Sequence, residues 1–236
     1  MSRGLSFLAV AWKNVWRRPS RSLLTVAGVA TAVAAVVTLL NVAWGFERSW
    51  AGAYEVRGAD LLVSRMTSRR PLPAPFPGRV VTDLRALPDV AEAAGTMTDV
   101  MSVEDAPAML VSGWEAGSFL WGHLKLTEGR WPDAREERVV ALGVVAAEIL
   151  GKSVGDSVQV DTFDFRVCGI FTSPALSENG TLLMTLSQIQ TISGREGLVS
   201  SISVKLKPQA GLTGAARVRD AVRERFPGFT IVHISC

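Results

Sequence analysis

The sequence predicts an α+β protein: one N-terminal transmembrane helix followed by an extracytoplasmic domain with a β-rich insertion. Three observations predict it. Leu23 to Phe46 is the only long uncharged run in the chain. Beyond it, strand and helix patterns alternate as one βαβ-like unit near each end. Between those ends the pattern is mostly that of short strands.

The helix comes first in the chain. About 24 helical residues rise roughly 36 Å, enough for a hydrocarbon core of about 30 Å with some tilt. Arg17, Arg18 and Arg21 precede the run, with Arg3 and Lys13 further upstream and no acid before Glu47. The excess of cations places the N-terminus in the cytoplasm and the bulk of the chain outside, in a single pass across the cytoplasmic (inner) membrane. A signal peptide is the competing reading, but its apolar core is far shorter and starts sooner. Upstream, Leu5, Leu8, Trp12, Val15 and Trp16 share one helical face, so residues 1–22 read as a basic segment on the lipid surface, with a disordered tail as the alternative. Within residues 23–46, Ala27, Thr31, Ala34, Thr38 and Asn41 form a small and polar face suited to packing against other helices.

The remaining elements follow in order. Asp60 to Arg65 reads as a strand, Met66 to Gly78 as a Pro-rich loop, and Val80 to Leu87 as a short helix stopped by Pro88-Asp89. Ala91 to Glu104 supplies one or two strands. Residues 109–197 read as mostly strands with one helix near Gly143 to Leu150, and a hairpin turning at Asp161-Thr162. Ser201 to Leu206 alternates as a strand. Ala215, Val218, Val222 and Phe226 make the apolar stripe of a helix over Thr213 to Phe226, and Phe229 to Ile234 is a final strand. The domain split is therefore 47–108 with 198–236 for the α+β part, and 109–197 for the insertion.

Composition excludes several classes. The net charge of +3 comes from the N-terminal segment, and the rest of the chain is slightly acidic with both signs interspersed, which argues against nucleic acid. Cys168 and Cys236 leave one disulfide open but suggest no framework, and Cys168 reads as a small buried hydrophobe. Two scattered histidines and two distant cysteines lack metal-ligand spacing, and no cofactor motif stands out. Gly151-Lys152-Ser153-Val154-Gly155 fits the G-x-S-x-G pattern, but a helix precedes it and a strand follows, the reverse of a nucleophile elbow. Ala146 to Ser153 resembles a phosphate loop with the same fault, and Gly151 reads instead as a left-handed helix stop. His123 and His233 read as structural, and Asp161 and Asp164 as solvated turn carboxylates. The residues thus describe no enzyme. Trp114, Phe119, Trp121 and Trp131 cluster in the insertion, as core or as a surface for a partner.

Several segments carry a resemblance. Asn14 to Thr25 (NVWRRPSRSLLT) is similar to an opening N-x-x-R-x-x-x-R-S-x-L-T. Ala59 to Val63 resembles a first external strand, and Leu87-Pro88-Asp89-Val90 an L-x-x-x-P-G-V segment. Glu128-Gly129-Arg130 looks like an x-G-R turn. Val154 to Val158 with Phe165 to Ile170 is similar to a V-G-D-x-V…F-x-V-V-G-I hairpin. In this order they resemble the MacB/FtsX-type ABC transporter permeases, a class that includes the lipoprotein-extracting Lol permeases.

The resemblance implies a porter-like βαβ subdomain carrying an inserted β-rich one. It implies a homo- or heterodimer of permease subunits in membrane lipid, working with a separate cytoplasmic ATPase, in export, lipoprotein extraction or mechanotransmission. Family members continue into three more spanning helices, so the chain is expected to be the N-terminal part of a permease. The competing class is a single-span, membrane-anchored binding or scaffold module.

Overall fold

The computed structural model describes residues 19–56, 58–66 and 72–234. The chain divides into two compact units, Met1–Arg48 and Ser49–Cys236. Arg17, Arg18 and most of the basic segment lie outside the described residues, as does Cys236.

Helix α1 (Pro19–Val56) runs for 38 residues, ten beyond the apolar run. Its stretch Leu23–Asn41 has a mean hydropathy of 2.4 and no buried residue, so it is long and apolar enough to cross a membrane. Thr31 Oγ1 donates to Ala27 O and Thr38 Oγ1 to Ala34 O, both at 2.8 Å. These hydroxyls are therefore satisfied within the helix, as hydroxyls in a hydrocarbon environment must be.

The second unit begins with β1 (Leu61–Ser64), β2 (Phe76–Pro77), α2 (Arg79–Arg85), β3 (Val90–Val103), β4 (Ala106–Trp114), β5 (Lys125–Gly129) and β6 (Val139–Gly143). Next come α3 (Val144–Leu150), β7 (Ser157–Val160), β8 (Phe163–Thr172), β9 (Leu182–Thr185) and α4 (Leu186–Ile192). It ends with β10 (Leu198–Val199), β11 (Ser201–Leu206), α5 (Gly211–Arg225) and β12 (Thr230–His233). The main sheet runs β12-β1-β11-β3-β4-β9-β6-β8-β5, with β7 pairing both β3 and β8. β2 and β10 make a separate two-stranded ribbon, in which Pro77 costs no ladder bond to the main sheet.

Strand β3 is shared by two substructures. Its first half pairs with β11, and with β1, α2, α5 and β12 it completes a β-α-β-β-α-β unit in the antiparallel order β12-β1-β11-β3. That is the split-βαβ, ferredoxin-like arrangement. α2 and α5 bury Val81, Leu84, Val218 and Val222 with Leu61, Val63 and Val204 of the sheet. Phe76 and Phe229 close this core edge to face at 4.7 Å.

The second half of β3 belongs to a ring. Pairings β3–β4, β4–β9, β9–β6, β6–β8, β8–β7 and β7–β3 return to their starting strand. The insertion is thus a closed six-stranded barrel, filled by Met97, Leu142, Phe165, Leu182 and Met184, with β5 added outside β8. Its seam is narrow: Val103 opposes Val160, Glu104 N donates to Gln159 O (2.9 Å), and Asp161 N donates to Ser102 O (2.8 Å). Where β3 passes between the substructures it carries Ala93, Ala94 and Gly95. A Cβ on Gly95 would stand 2.9 Å from Val199 Cγ1 and 3.1 Å from Val81 Cγ2. Only a residue without a side chain leaves that crossing undistorted.

The stretch read as one or two strands is one continuous 14-residue strand, Val90–Val103. One expectation needed correction. The insertion holds a second helix, α4, because Leu186–Ile192 is too short and too rich in β-branched residues for its period to show. The hairpin at Asp161 and the helix stop at Gly151 form as read, with φ of 53° and 62° respectively.

Candidate functional site

The two substructures meet beside β3 along a cleft of about 560 Å3. α2 contributes Arg79 and Thr82, α4 contributes Ser187 and Gln190, and Val199 of the ribbon and Gly95 of β3 form the floor. Arg85 fastens one end. Its Nε donates to Ala93 O (2.8 Å) and its Nη2 to both oxygens of Glu115 (2.7 and 2.6 Å), so one guanidinium holds α2, β3 and the loop after β4. Beyond that pair lies a smaller recess of about 310 Å3 with Phe119 in its wall.

The four aromatic residues singled out from sequence do converge. Trp114 is fully buried, at 1% exposure, which removes it from any partner surface. Trp121 packs edge to face on Trp114 at 5.4 Å and on Trp131 at 5.3 Å, and its Nε1 donates to Glu115 O (3.0 Å). Phe119, Trp121 and Trp131 lie half-buried against Leu120, Phe171 and Leu183 on the outer flank of the barrel.

Beneath this cluster is a buried polar knot that sequence reasoning missed. His123 Nε2 bonds Glu178 Oε2 at 2.8 Å, Ser173 Oγ bonds the same oxygen, and the His123 and Glu178 side chains are almost fully buried. Asn179 accepts from Ser173 N (2.8 Å) and donates to Ser173 O (3.0 Å). His123 Nδ1 is buried without a partner. Because the carboxylate stands between serine and imidazole, no nucleophile faces a base here. The knot seats the 173–181 loop over Gly143, where any Cβ would overlap the backbone of Glu178 and Asn179. No local signal marks Glu178, since its burial depends on a loop folding back across β6.

Other candidates stay structural. Ser153 N donates to Asp156 Oδ2 (2.8 Å) in the turn between α3 and β7, so the G-x-S-x-G string is a helix stop and a turn. Cys168 is a buried free thiol that donates to Val140 O (3.3 Å), and burial pushes its pKa up to about 11. His233 sits exposed on β12. Among the described residues no group of three or more His, Cys, Asp or Glu converges as a metal site. The Glu128-Gly129-Arg130 turn has a backbone cause: Gly129 (φ 74°) crosses Gly169 so closely that a Cβ on either would strike the other strand.

A membrane-length apolar helix thus leads into a ferredoxin-like unit with an inserted barrel, and among the described residues no catalytic constellation converges. The model of the family described as MacB-like periplasmic core domain matches residues 22–223, and the chain belongs to that family. It is 24% identical over 237 residues to the macrolide export ATP-binding/permease protein MacB of Chlorobium luteolum, covering 90% of this chain and 36% of that protein. It is 26% identical over 190 residues to an uncharacterized ABC transporter permease of Mycobacterium tuberculosis, covering 78% and 52%. The chain thus spans between about a third and a half of the length of these curated relatives. Among solved structures, the periplasmic region of MacB from Actinobacillus actinomycetemcomitans matches with a TM-score of 0.61 at 15% identity, covering 76% of this chain and 92% of that one. The extracellular domain of the noncanonic ABC-type transporter YknZ from Gram-positive bacteria gives 0.57 at 14% identity, covering 73% and 99%. Both likenesses concern the fold.

Proposed function

We propose that this chain is the N-terminal part of an ABC transporter permease subunit. In this reading it couples a cytoplasmic ATPase, supplied in trans, to movement of its extracytoplasmic domain. The observation that carries the proposal is the family match over residues 22–223, which joins the apolar helix to the folded domain. The relatives named as ATP-binding/permease proteins support an ATPase partnership. The continuity of β3 through both substructures suits a mechanical role, because a force entering the ferredoxin-like unit reaches the barrel through one backbone. Subdomains 47–108 with 198–236, and 109–197, are the proposed moving parts. Arg17, Arg18 and Arg21 fix orientation, and the Ala27–Thr31–Ala34–Thr38–Asn41 face packs against helices of a homo- or heterodimeric permease.

Affinity purification of the tagged chain from its native membranes tests this. An ABC ATPase is expected to co-purify, with ATP turnover that changes when the chain is present. A stable complex with an envelope protein and no ATPase would replace the proposal with the scaffold reading.

A further inference from the structure

The main sheet ends on two edge strands of different character. At one end β5 exposes Lys125 and Glu128, and its register slips between Leu126 and Glu128. Charges and bulges of this kind keep an edge from pairing with another chain. At the other end β12 reads Thr230-Ile231-Val232-His233, without lysine, carboxylate or proline, and pairs with β1 in unbroken register. Among the described residues no strand lies on its far side. Val232 is 48% exposed there, so one edge is guarded and the other is not.

The bond to β1 fixes which groups of β12 face outward. Ile234 N donates to Asp60 O (2.9 Å), so the carbonyl of the same peptide, that of His233, points away from β1. Backbone groups alternate in direction along an antiparallel strand, hence the N–H and C=O of both Ile231 and His233 face the edge. Val232 stands between them, its own backbone directed at Leu62.

From this we infer that the β12 edge joins a second copy of this chain, strand to strand and antiparallel, about a two-fold axis at Val232. Ile231 of each copy then exchanges both backbone bonds with His233 of the other. Val232 meets Val232 in the close, non-hydrogen-bonded position, where apolar side chains on paired strands touch. Every outward donor and acceptor of Ile231 and His233 is used, and the exposed Val232 is covered by an uncharged equal. No like charges oppose, because His233 faces Ile231 rather than itself. The same patch serves both copies, as a two-fold interface requires. The inference goes beyond coupling to an ATPase, since strand pairing needs only two copies of this chain.

Disulfide trapping of the full chain in membranes tests it. The chain carries Cys236→Ser and Val232→Cys, and the buried thiol of Cys168 stays silent. Opposed in this register, the two introduced cysteines have Cα atoms about 4.5 Å apart, within disulfide reach. Mild oxidation is expected to trap a dimer on a non-reducing gel. Thr230→Cys, exposed on the same strand, sets its two copies about 14 Å apart and is expected to stay monomeric. His233→Pro removes only an outward N–H. It should leave the thermal midpoint unchanged while lowering Val232→Cys trapping by about tenfold or more. Equal trapping by Thr230→Cys would reduce the contact to collision, and trapping undiminished by His233→Pro would exclude strand pairing. A Val232→Cys chain that reacts with maleimide and stays monomeric has an uncovered edge; one protected yet monomeric has its edge on a strand of another protein. Each of these four results overturns the inference.

Discussion

The ferredoxin-like unit and the barrel share one strand yet reach their stability by different routes. The first is an open sheet with two helices on one face and β12 as an edge strand, and its strands pair across the length of the domain, β1 with both β11 and β12. The second has no free edge within its ring and is filled from six strands, and it carries the buried His123–Glu178–Ser173 knot on its flank. An open layer tolerates the loss of one contact by local rearrangement. A closed ring concentrates the penalty, because every strand is held from both sides.

Removing the knot's acceptor should give the largest difference. Glu178→Ala leaves buried His123 and Ser173 facing an empty position and is expected to cost about 3–5 kcal/mol, read from thermal unfolding of the full chain in detergent. A loss under about 1 kcal/mol would mean that the knot is wet and the barrel's flank is not a dry core. Next, Phe165→Ala inside the ring is expected to cost about 3–5 kcal/mol, against about 2 kcal/mol for Val222→Ala beneath α5. Equal losses per methylene removed would dissolve the contrast between closed and open halves.

Smaller effects separate the halves by pH. Each has one acid-sensitive clamp. In the ferredoxin-like unit, the hydrogen bond from Arg217 holds the Asp89 carboxyl below its ordinary range. At the barrel seam, the Lys152 ammonium and then the Gln159 amide do the same for Glu104. A lowered folded-state pKa means that the stabilisation is fully present above the unfolded carboxylate pKa of about 4 and fades as pH falls through the lower folded value. The gap in thermal midpoint between wild type and either Asp89→Asn or Glu104→Gln should therefore be complete at pH 7 and narrow below about pH 4. A gap that widens on acidification would reverse the sign of the linkage and remove both clamps. The smallest effect carries no stability change. In a Cys236→Ser background, Cys168 should resist alkylation at pH 8 until the protein unfolds, because burial holds the thiol pKa near 11. Rapid native-state labelling would show that the barrel's flank opens.

The amino-acid sequence by itself determined the apolar helix, the alternation on both sides of the insertion, the helix stop at Gly151 and the hairpin at Asp161. Each of these is written in neighbouring residues: a hydrophobic period, a glycine where φ must be positive, a turn between alternating runs. The order of those segments also carried the family. What lay beyond local reading depends on residues far apart in the chain. Ring closure rests on Val103 meeting Val160, the cleft on α2 and α4 lining one opening beside β3, and the knot on His123 reaching Glu178. Trp114 shows the limit most plainly. Its neighbours in sequence left both core and surface open, and only the packing of Trp121, Leu120 and Phe171 around it decided for the core. Burial is a property of the whole chain's collapse, so it is settled only when distant strands close over a side chain.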